Sequence, residues 1–476
     1  MQISRMAMDW TSQRVEWQRQ PRAQTVAHEL VTKFCANSAA ARQFAQRMLR
    51  ETGTRFIDWV DFVAPPREAL DRGALVEAGF TLNDADGTSV AEHPGGMFPT
   101  IRLDGPRVWT LGLKVESVAH FLNINAIADS AVEGAPYAAL RMARIALESD
   151  AELWIVERHG QLGFTPHDVS SAEASAVLHH AEAFRCRRRR FKRDEEGFEH
   201  ALQLINAGVA DLGHSRACDL FFGAERTYWE GRNRAGRLQK ARQDRLGLGW
   251  GNHDHHTYRS SREHFADLIG MFGAAGLLCR EQFYAGIEAG WGAQILEHQE
   301  CRIVVFADVD LSPEEVSGDF AHSGLPPQNS RGTIGLWCQL HGEALLQAGM
   351  HHLEAQFDFE AARAQLRHQG VMTMEPFTEF PHLRQVFTQG EIWMVEPSRL
   401  AAAKAAGFIT GEQAERFAKH GALGSHLEIL ERNEGYKGFN RTGISQIIRR
   451  TDPRGDTRLR PSDHGTARIL TPHWLP

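Results

Sequence analysis

The stretch NHDHHTYR, residues 252–259, begins the part of the sequence that decides the fold. Glycines at 247, 249 and 251 end a helical region before it, and Ser260 or Ser261 can cap a helix over Arg262–Leu278 after it. Three runs of strand character follow, near Gln282–Ala289, Gly292–Glu297 and Cys301–Asp308. This order predicts a βαβββ module, in which one strand and one helix precede three further strands.

The same order of elements occurs twice more in the sequence. A strand at His351–Phe357 and a helix at Phe359–His368 precede three strands at 371–374, 383–387 and 391–395. An N-terminal unit over residues 56–115 repeats the order without a histidine on its opening strand, so we interpret it as a degenerate, structural copy. Two such modules side by side enclose a half-barrel. We therefore predict an α+β fold of βαβββ modules that form a half-barrel metal cup, with added helical segments.

The predicted organisation has four regions. Residues 1–150 form an N-terminal α+β region that contains the degenerate module, and residues 151–246 form a mainly helical segment. Residues 247–400 hold the metal-binding pair of modules, and residues 401–476 form a helical C-terminal region with a tail. The length of 476 residues agrees with this division, because domains average about 150 residues.

Composition excludes several classes of protein. Apolar residues make up 42% and charged residues 24%, which is typical of a globular chain and not of a disordered or fibrous one. The net charge of −7 disfavours a dedicated nucleic-acid binder. The longest apolar stretch, Leu268–Leu278, spans 11 residues, whereas a membrane helix needs about 20. Six scattered cysteines without a C-x-x-C pair indicate a reduced, cytoplasmic protein.

The 24 histidines include runs at 179–180, 253–256 and 351–352, where metal or acid–base chemistry is to be sought first. Side chains alternate along a strand, so residues two apart share a face. The resulting faces are His253, His255, Thr257 and Arg259 on one strand, His352, Glu354 and Gln356 on a second, and Glu391, Trp393 and Val395 on a third.

Two imidazoles and one carboxylate from these faces, those of His255, His352 and Glu391, would form a facial triad with open metal positions. This geometry suits Fe²⁺ with O₂ and a chelating substrate. Arg259, on the His255 face, would bind a substrate carboxylate through two hydrogen bonds. Thr257 and Trp393 are further candidates for substrate contact, and plain core packing is an equal alternative for Trp393.

The order of ligands and the repeated modules resemble the vicinal-oxygen-chelate superfamily, and within it the 2-oxoadipate dioxygenase/decarboxylase (hydroxyglutarate synthase) family. The resemblance covers Gly251–Pro397 and rests on three segments, which are His255-His256-Thr257-Tyr258-Arg259, His351-His352-Leu353 and Gln389-Gly390-Glu391-Ile392-Trp393. It implies His255, His352 and Glu391 as metal ligands and Arg259 as the catalytic, carboxylate-binding residue. It also implies Fe²⁺ as cofactor, with Mn²⁺, Zn²⁺ or Ni²⁺ as alternatives, and oxidative decarboxylation of a small 2-oxo acid by O₂.

Several alternatives stay open at this point. His159, in the segment Val156–Gly160, also resembles the family's first-histidine neighbourhood, but it lacks the following arginine. The same ligand set would serve an isomerase or lyase of the glyoxalase kind, or an extradiol ring-cleaving dioxygenase. The arginine-rich run Arg185–Arg193, expected on a helix, is either a solvated helix flank or a nucleic-acid patch, and the negative total charge favours the former. We expect a small carboxylate substrate and O₂ as partners, no nucleic acid and no membrane, and a homo-oligomer remains open.

Overall fold

The computed structural model describes residues 15–455 apart from 86, 149, 441–442, 444–446 and 449–450. Within these residues the chain forms two eight-stranded sheets, and each sheet is made by two consecutive βαβββ modules. The predicted α+β fold of βαβββ modules is thereby confirmed, with four modules in the place of the three that the sequence predicts. The sequence predicts a C-terminal tail from Arg449, and most of it, residues 456–476, lies outside the described residues.

The N-terminal sheet follows two helices that pack on its outer side. The helices are α1 (Pro21–Ala36) and α2 (Ala39–Thr52). Module one consists of β1 (Val60–Ala64), α3 (Arg72–Glu77), β2 (Thr81–Ala85), β3 (Thr88–Glu92) and β4 (Thr100–Arg102). Module two consists of β5 (Trp109–Lys114), α4 (Val118–Ile124), β6 (Val132–Glu133), β7 (Leu140–Glu148) and β8 (Ala151–Arg158).

Three helices connect the two sheets, and a second pair of modules follows. The helices are α5 (Ser171–Cys186), α6 (Asp194–Arg232, with a break at Gly213) and α7 (Arg234–Asp244). Module three consists of β9 (His253–Arg259), α8 (Phe265–Ala274), β10 (Leu278–Tyr284), β11 (Trp291–His298) and β12 (Ile303–Asp310). Helix α9 (Thr333–His341) and a π-helical turn at Ala344–Ala348 precede module four.

Module four carries a long insertion before its last strand. The module consists of β13 (His352–Gln356), α10 (Phe359–His368), β14 (Thr378–Phe380), β15 (Leu383–Phe387) and β18 (His426–Arg432). The insertion holds β16 (Ile392–Trp393), α11 (Pro397–Ala405), α12 (Gly411–His420) and β17 (Ala422–Leu423). Strands β16 and β17 pair only with each other, in a small separate sheet.

The two large sheets share one strand order. It is β2-β3-β4-β1-β5-β8-β7-β6 in the N-terminal sheet and β10-β11-β12-β9-β13-β18-β15-β14 in the C-terminal sheet. The opening strands of each module pair meet at the centre, and the C-terminal pair β9 and β13 is antiparallel. The last strand of each C-terminal module, β12 or β18, flanks this centre in parallel.

This topology corrects the predicted boundaries. The sequence predicts Arg107–Val115 as the last strand of the unit 56–115, but β5 in this stretch opens module two. The sequence also predicts a helix over Tyr137–Glu148, but this stretch contains the whole of the hairpin strand β7, so the N-terminal sheet continues past residue 150 to Arg158. The predicted boundary at 400 falls inside module four, whose last strand ends at Arg432.

The arginine-rich run lies largely outside the predicted helix, and it is a solvated flank only in part, because two of its arginines are buried. Helix α5 ends at Cys186, and residues 187–193 connect it to α6. Arg187 and Arg189 are buried and pair with the equally buried Glu225 of α6. Arg187 also donates to the carbonyl oxygen of Leu345 in the π-helical turn. The run therefore ties the helical segment to the C-terminal half of the chain.

Helices in the described part of the chain are all too short or too polar to cross a membrane.

Candidate metal centre

The register of the C-terminal sheet places six polar side chains in two rows on one face. His255 lies opposite Glu354, and Glu354 lies opposite Glu428 on the next strand. Thr257 lies opposite His352, which in turn lies opposite His426. Residues directly opposite each other in a sheet point to the same side, so both rows face the interior of the half-barrel. We call this face the C-terminal cup.

Four of these side chains form one buried cluster. His255, His352, Glu354 and Glu428 each offer a ligand atom, and these four atoms lie within 4.8 Å of one another. The Nε2 atom of His352 lies 3.4 Å from a carboxylate oxygen of Glu428 and 3.6 Å from one of Glu354. The Nε2 atom of His255 contacts Glu354 directly. Two imidazoles and two carboxylates at this spacing are a donor set suited to a divalent transition metal.

Neighbouring groups hold the outer atoms of these ligands. The Nδ1 atom of His255 is hydrogen-bonded to Asp254 at 3.0 Å, and Asp254 in turn receives two hydrogen bonds of 3.1 Å from Arg432. Asp254 reaches this position because the β9–β13 register skips one residue there, from His255 to His253. A carboxylate on the outer nitrogen orients the ring so that Nε2 faces the cluster, which is the arrangement usual for metal-binding histidines.

The other two ligand side chains are held in the same way. The Nδ1 atom of His352 is hydrogen-bonded to Nδ1 of His351 at 2.9 Å. The Oε1 atom of Glu428 accepts a hydrogen bond of 3.0 Å from the amide of Gln385. In His255, His352 and Glu428 the outer atom is thus fixed by a neighbouring group while the inner atom faces the cluster.

Electrostatics at the cluster reflect two carboxylates buried side by side. Burial, together with the adjacent charge of Glu354, raises the pKa of Glu428 well above its ordinary value. Burial also acts to raise the pKa of Glu354. The attraction of the neighbouring His255 is the stronger effect, and it holds the pKa of Glu354 well below the usual range. Burial lowers the pKa of His352 to about 4, so this imidazole is neutral and able to ligate. A cation between these groups would compensate both carboxylates.

Arg259 is a buried cation on the cup face. It is 1% exposed, and its three guanidinium nitrogens have no hydrogen-bond partner among the described residues. Its nearest aromatic neighbour is Trp337, whose ring centre lies 5.6 Å from the guanidinium carbon. Burial lowers the pKa of Arg259 to about 10. Asp308 lies opposite Arg259 on β12, and burial raises the pKa of Asp308 to about 7 although the charge of Arg259 acts to lower it. A guanidinium has the charge and the hydrogen-bonding geometry to hold a carboxylate through two hydrogen bonds.

Further buried polar atoms around the cup also lack partners in the described chain. They are Oγ1 of Thr257, Oε2 of Glu354, Nε2 of His351 and Nε2 of His426. Buried polar atoms are nearly always satisfied in proteins, so these atoms are available to an ion or a polar ligand in the cup.

Aromatic and aliphatic side chains close the remaining space. Phe439, which follows the last strand, packs on Phe306 at 5.3 Å and on Phe283 at 5.1 Å between ring centres. Ile447 and Ile448 belong to the same apolar cluster. Phe439 therefore covers this side of the cup with an apolar ring.

The structure places the predicted site residues unequally. His255 and His352 come together in the cluster, and Thr257 and Arg259 lie on the same face. Glu391 does not join them, because it precedes β16 in the insertion, where its Oε1 atom accepts a hydrogen bond of 2.6 Å from the backbone N–H of Arg234. Trp393 lies on the far side of Trp337, with 6.2 Å between ring centres, and its indole donates to the carbonyl of Arg232.

The carboxylate expected from Glu391 is provided by Glu428, with Glu354 beside it. The strand alternation in the sequence places Glu354 on the His352 face, although it was not chosen as a ligand. Glu428 is not predicted from the sequence, because the composition of residues 398–435 favours a helix. The pattern that indicates a strand there is the alternation of His426, Glu428 and Leu430. His159 lies in the N-terminal half, paired with Glu157 and Asp219, and does not approach the cluster.

The N-terminal sheet has apolar residues in the corresponding row. Phe62 lies opposite Gly112, and Gly112 lies opposite Trp154. A Cβ atom on Gly112 would lie 2.3 Å from the Phe62 ring, so the aromatic ring fills this position. Arg102 stacks on both rings, at 5.2 Å from Phe62 and 4.8 Å from Trp154. This half-barrel is a packed core, as the absence of histidine on its opening strand predicts.

Comparison with known proteins adds only weak likenesses. Neither the known family models nor the curated proteins contain a match. Among solved structures, a variant of 4-hydroxymandelate synthase from Streptomyces coelicolor is 12% identical, with 83% of this chain and 98% of that chain covered at a TM-score of 0.28. A putative hydrolase from Shewanella frigidimarina is 16% identical over 45% and 92% of the two chains, at 0.31. Methylmalonyl-CoA epimerase from Mycobacterium tuberculosis is 13% identical over 38% and 89%, at 0.22. Scores this low carry no argument, and the fold assignment rests on the strand order above.

Proposed function

We propose that the C-terminal cup is the active site of a non-haem Fe²⁺ dioxygenase that oxidatively decarboxylates a small 2-oxo acid. The observation that carries the proposal is the joint presence of a buried two-histidine, two-carboxylate cluster and a buried, unpartnered Arg259 on one sheet face. Such a pair of features fits a metal and a carboxylate-bearing substrate bound side by side. The resemblance of His255–Arg259 and His351–Leu353 to the 2-oxoadipate dioxygenase/decarboxylase family supports the same reaction class.

Ligands from two histidines and one carboxylate leave positions open for a chelating oxo acid and O₂. We assign His255, His352 and Glu428 to this role. The bound iron would supply O₂ activation and would polarise the substrate's keto group. Mn²⁺, Zn²⁺ and Ni²⁺ could occupy the same donors, because His and Glu ligands accept all of these ions.

The chain's own residues then bind and orient the substrate. Arg259 accepts a carboxylate through its guanidinium, and the Thr257 hydroxyl, unpartnered and two residues nearer the cluster, offers a further hydrogen bond. Phe306, Phe387 and Phe439 keep the site dry, which strengthens these contacts. A bare catechol has no carboxylate for Arg259, so this residue disfavours the extradiol ring-cleaving alternative.

The overall reaction balances with O₂ as the only oxidant. The substrate loses its carboxylate as CO₂, its keto carbon becomes a new carboxyl carbon, and the adjacent methylene becomes a hydroxylated carbon. One oxygen atom of O₂ enters the new carboxyl group and the other enters the hydroxyl group. O₂ thereby accepts four electrons, two from decarboxylation and two from the C–H bond.

A metal-dependent isomerase or lyase of the glyoxalase kind is the second candidate, and Glu354 is the observation that favours it. This fourth donor lies within the cluster, and its Oε2 atom has no partner in the described chain. A carboxylate beside an ion can ligate it and reduce the open positions, or accept a proton from the carbon next to a carbonyl. Neither use requires O₂.

Oxygen and CO₂ measurements separate the two candidates. Protein loaded anaerobically with Fe²⁺ is mixed with 2-oxoadipate and with shorter 2-oxo acids, and O₂ uptake and CO₂ release are recorded. We expect one CO₂ per O₂, and a loss of at least about 100-fold in rate for His352→Ala, since losing a metal ligand removes the cofactor. Proton exchange at the substrate carbon without O₂ uptake, with Zn²⁺, Mn²⁺ or Ni²⁺ as well as Fe²⁺, would instead establish the isomerase.

A further inference from the structure

A second cluster of metal-binding side chains lies outside the cup. The thiols of Cys218 and Cys301 and one imidazole nitrogen of His298 all lie within 4.8 Å of one another. Cys218 is fully buried on α6, and His298 ends β11. Cys301 stands three residues further along, in the turn before β12. Helix α6 and the β11–β12 hairpin therefore each bring a thiol to the same point.

The turn of this hairpin fixes the orientation of the imidazole. The backbone N–H of Cys301 donates to Nδ1 of His298 at 3.3 Å, which holds the ring beside Cys301. Arg302 completes the turn with a positive φ of 51°. The Cys301 thiol donates to the Ser215 carbonyl, with 3.1 Å between sulfur and oxygen. The cluster is thus held by backbone geometry on both of its elements.

A cavity of about 340 Å³ adjoins this cluster. Cys301 lines it together with Lys114, Asp219 and Arg226, between the N-terminal sheet and the C-terminal half. Asp219 is already committed, because its Oδ2 atom lies 2.8 Å from Nδ1 of His159 and 3.6 Å from Arg216. The cluster therefore offers three side chains that can bind an ion, and the cavity lies directly beside it.

We propose that Cys218, His298 and Cys301 bind a thiophilic divalent cation, with Zn²⁺ as the fitting ion. Zinc prefers four tetrahedral ligands with Zn–S distances near 2.3 Å, which places two coordinated sulfurs about 3.8 Å apart, inside the spread of the cluster. With three protein ligands the fourth position is taken by water or by a small ligand from the cavity. Three protein ligands and one exchangeable position are typical of reactive zinc sites, whereas purely structural sites have four.

This site is chemically distinct from the cup. The cup has only nitrogen and oxygen donors, whereas the second cluster has two sulfurs, and soft thiolates favour Zn²⁺ over Fe²⁺ or Mn²⁺. A signal that reports thiolate coordination therefore detects the second site even when the cup is also loaded. The two assignments can fail independently.

Titration of the reduced, full-length protein with Co²⁺ under anaerobic conditions tests the proposal. Co²⁺ replaces Zn²⁺ in tetrahedral thiolate sites and gives a thiolate-to-metal charge-transfer band in the near ultraviolet. We expect this band to reach the same final intensity, that of one thiolate-bound Co²⁺ per chain, in the native protein and in His352→Ala. It should be lost in Cys301→Ser and in Cys218→Ser, and kept in Cys279→Ser, whose thiol lies on β10 outside the cluster.

Circular dichroism of each variant shows whether it is folded, and His298→Gln provides a variant that keeps both thiols. In His298→Gln we expect the band at an affinity at least tenfold weaker. Absence of the band in the native protein, or its persistence in both cysteine variants, would overturn the proposal. Formation of a Cys218–Cys301 disulfide on mild oxidation, without any metal-dependent band in the reduced protein, would also overturn it in favour of a redox pair.

Discussion

The guanidinium of Arg259 is a buried charge that has no hydrogen-bond partner among the described residues. Burying an unpaired guanidinium is costly, so its presence reduces the stability of the ligand-free protein. The free energy is recovered when an anionic ligand binds. This reasoning separates a ligand-binding arginine from a structural one, because a structural arginine stabilises the protein in the absence of ligand.

Replacement of Arg259 by methionine should therefore have opposite effects on stability and on binding. We expect the free energy of unfolding of the metal-loaded, substrate-free protein to rise by about 1–4 kcal/mol, because a buried charge is replaced by an apolar chain of similar length. We expect the affinity for a 2-oxo acid to fall by at least about tenfold, through loss of a charged hydrogen-bonding partner. Urea unfolding and calorimetric titration measure the two quantities.

Arg22, an exposed arginine on α1, provides the control for this substitution. Arg22→Met should change neither quantity appreciably, because surface substitutions away from special features have small effects. A destabilised Arg259→Met protein that still binds the oxo acid normally would show that Arg259 has a structural role.

At the scale of elements, Glu225 joins the α5–α6 connection to the C-terminal half. Its carboxylate lies 2.9 Å from the guanidinium of Arg187 and also pairs with Arg189. Arg187 in addition donates a hydrogen bond to the carbonyl oxygen of Leu345. Both guanidinium groups and the carboxylate are buried. Within the same run, Arg190 pairs with Glu396 at the surface, where the two side chains are 72% and 48% exposed.

The two ion pairs of this run should differ sharply in energy. Glu225→Gln leaves two buried guanidinium groups without a countercharge, and we expect it to lower the free energy of unfolding by about 3–5 kcal/mol. Glu396→Gln should cost less than about 1 kcal/mol, because water screens the exposed pair. Urea unfolding of both variants checks the prediction, and equal effects would contradict the burial described for Arg187 and Arg189.

The segment that follows β18 covers the cup through Phe439. Truncating this ring to alanine should cost about 3–5 kcal/mol of stability, as is usual for a buried phenylalanine. It should also open the cup, so that an external chelator removes iron faster than from the native protein. Stopped-flow chelation measures that rate. An unchanged rate in the folded Phe439→Ala protein would mean that the metal is reached by another path.

Prediction from sequence succeeded where a strand alternates regularly and failed where composition conflicts with tertiary pairing. His255, Thr257, Arg259, His352 and Glu354 are each placed on the correct face by alternation alone. Strand β7 was missed because its alanines and arginines have high helix propensity, and pairing with β8 overrides that preference. The insertion moved the last strand of module four to residues 426–432, so a short local pattern at Glu391 was mistaken for it.

At the scale of the whole molecule, His159 connects the N-terminal sheet to helix α6. Its ring lies 2.9 Å from Glu157 at the end of β8 and 2.8 Å from Asp219. Burial lowers the pKa of His159 and Arg216 opposes its charge, but the two carboxylates outweigh both and raise that pKa to about 9. The protonated imidazole is therefore part of the contact between the two halves.

This contact should make stability depend on pH in a defined window. Because the folded pKa of His159 lies above its unfolded value, its contribution is complete below about pH 6.5 and is lost as pH rises through about 9. At about 1.4 kcal/mol per pKa unit the full effect is of the order of 3 kcal/mol. We expect urea unfolding between pH 6 and 10 to show this decline in the native protein and a flatter profile in His159→Gln. A profile that is identical in both proteins would contradict the pairing.

Comparison of the two half-barrels also explains why we assign the proposed metal site to one of them. Both have the same strand order, but the central row is Phe62, Gly112 and Trp154 in one sheet and His255, Glu354 and Glu428 in the other. The first row packs a core, and the second leaves buried donors facing each other. Fold alone therefore does not identify the active half, whereas the residues in this row do.

The central claim is that a divalent ion binds between His255, His352 and Glu428. Equilibrium dialysis of the full chain against Fe²⁺ under anaerobic conditions, followed by elemental analysis, tests it most directly through two glutamate variants. We predict one cup-bound iron in the native protein and in Glu391→Ala, and at least about tenfold weaker binding in a folded Glu428→Ala protein. Retention of iron by Glu428→Ala together with its loss from Glu391→Ala would contradict the account.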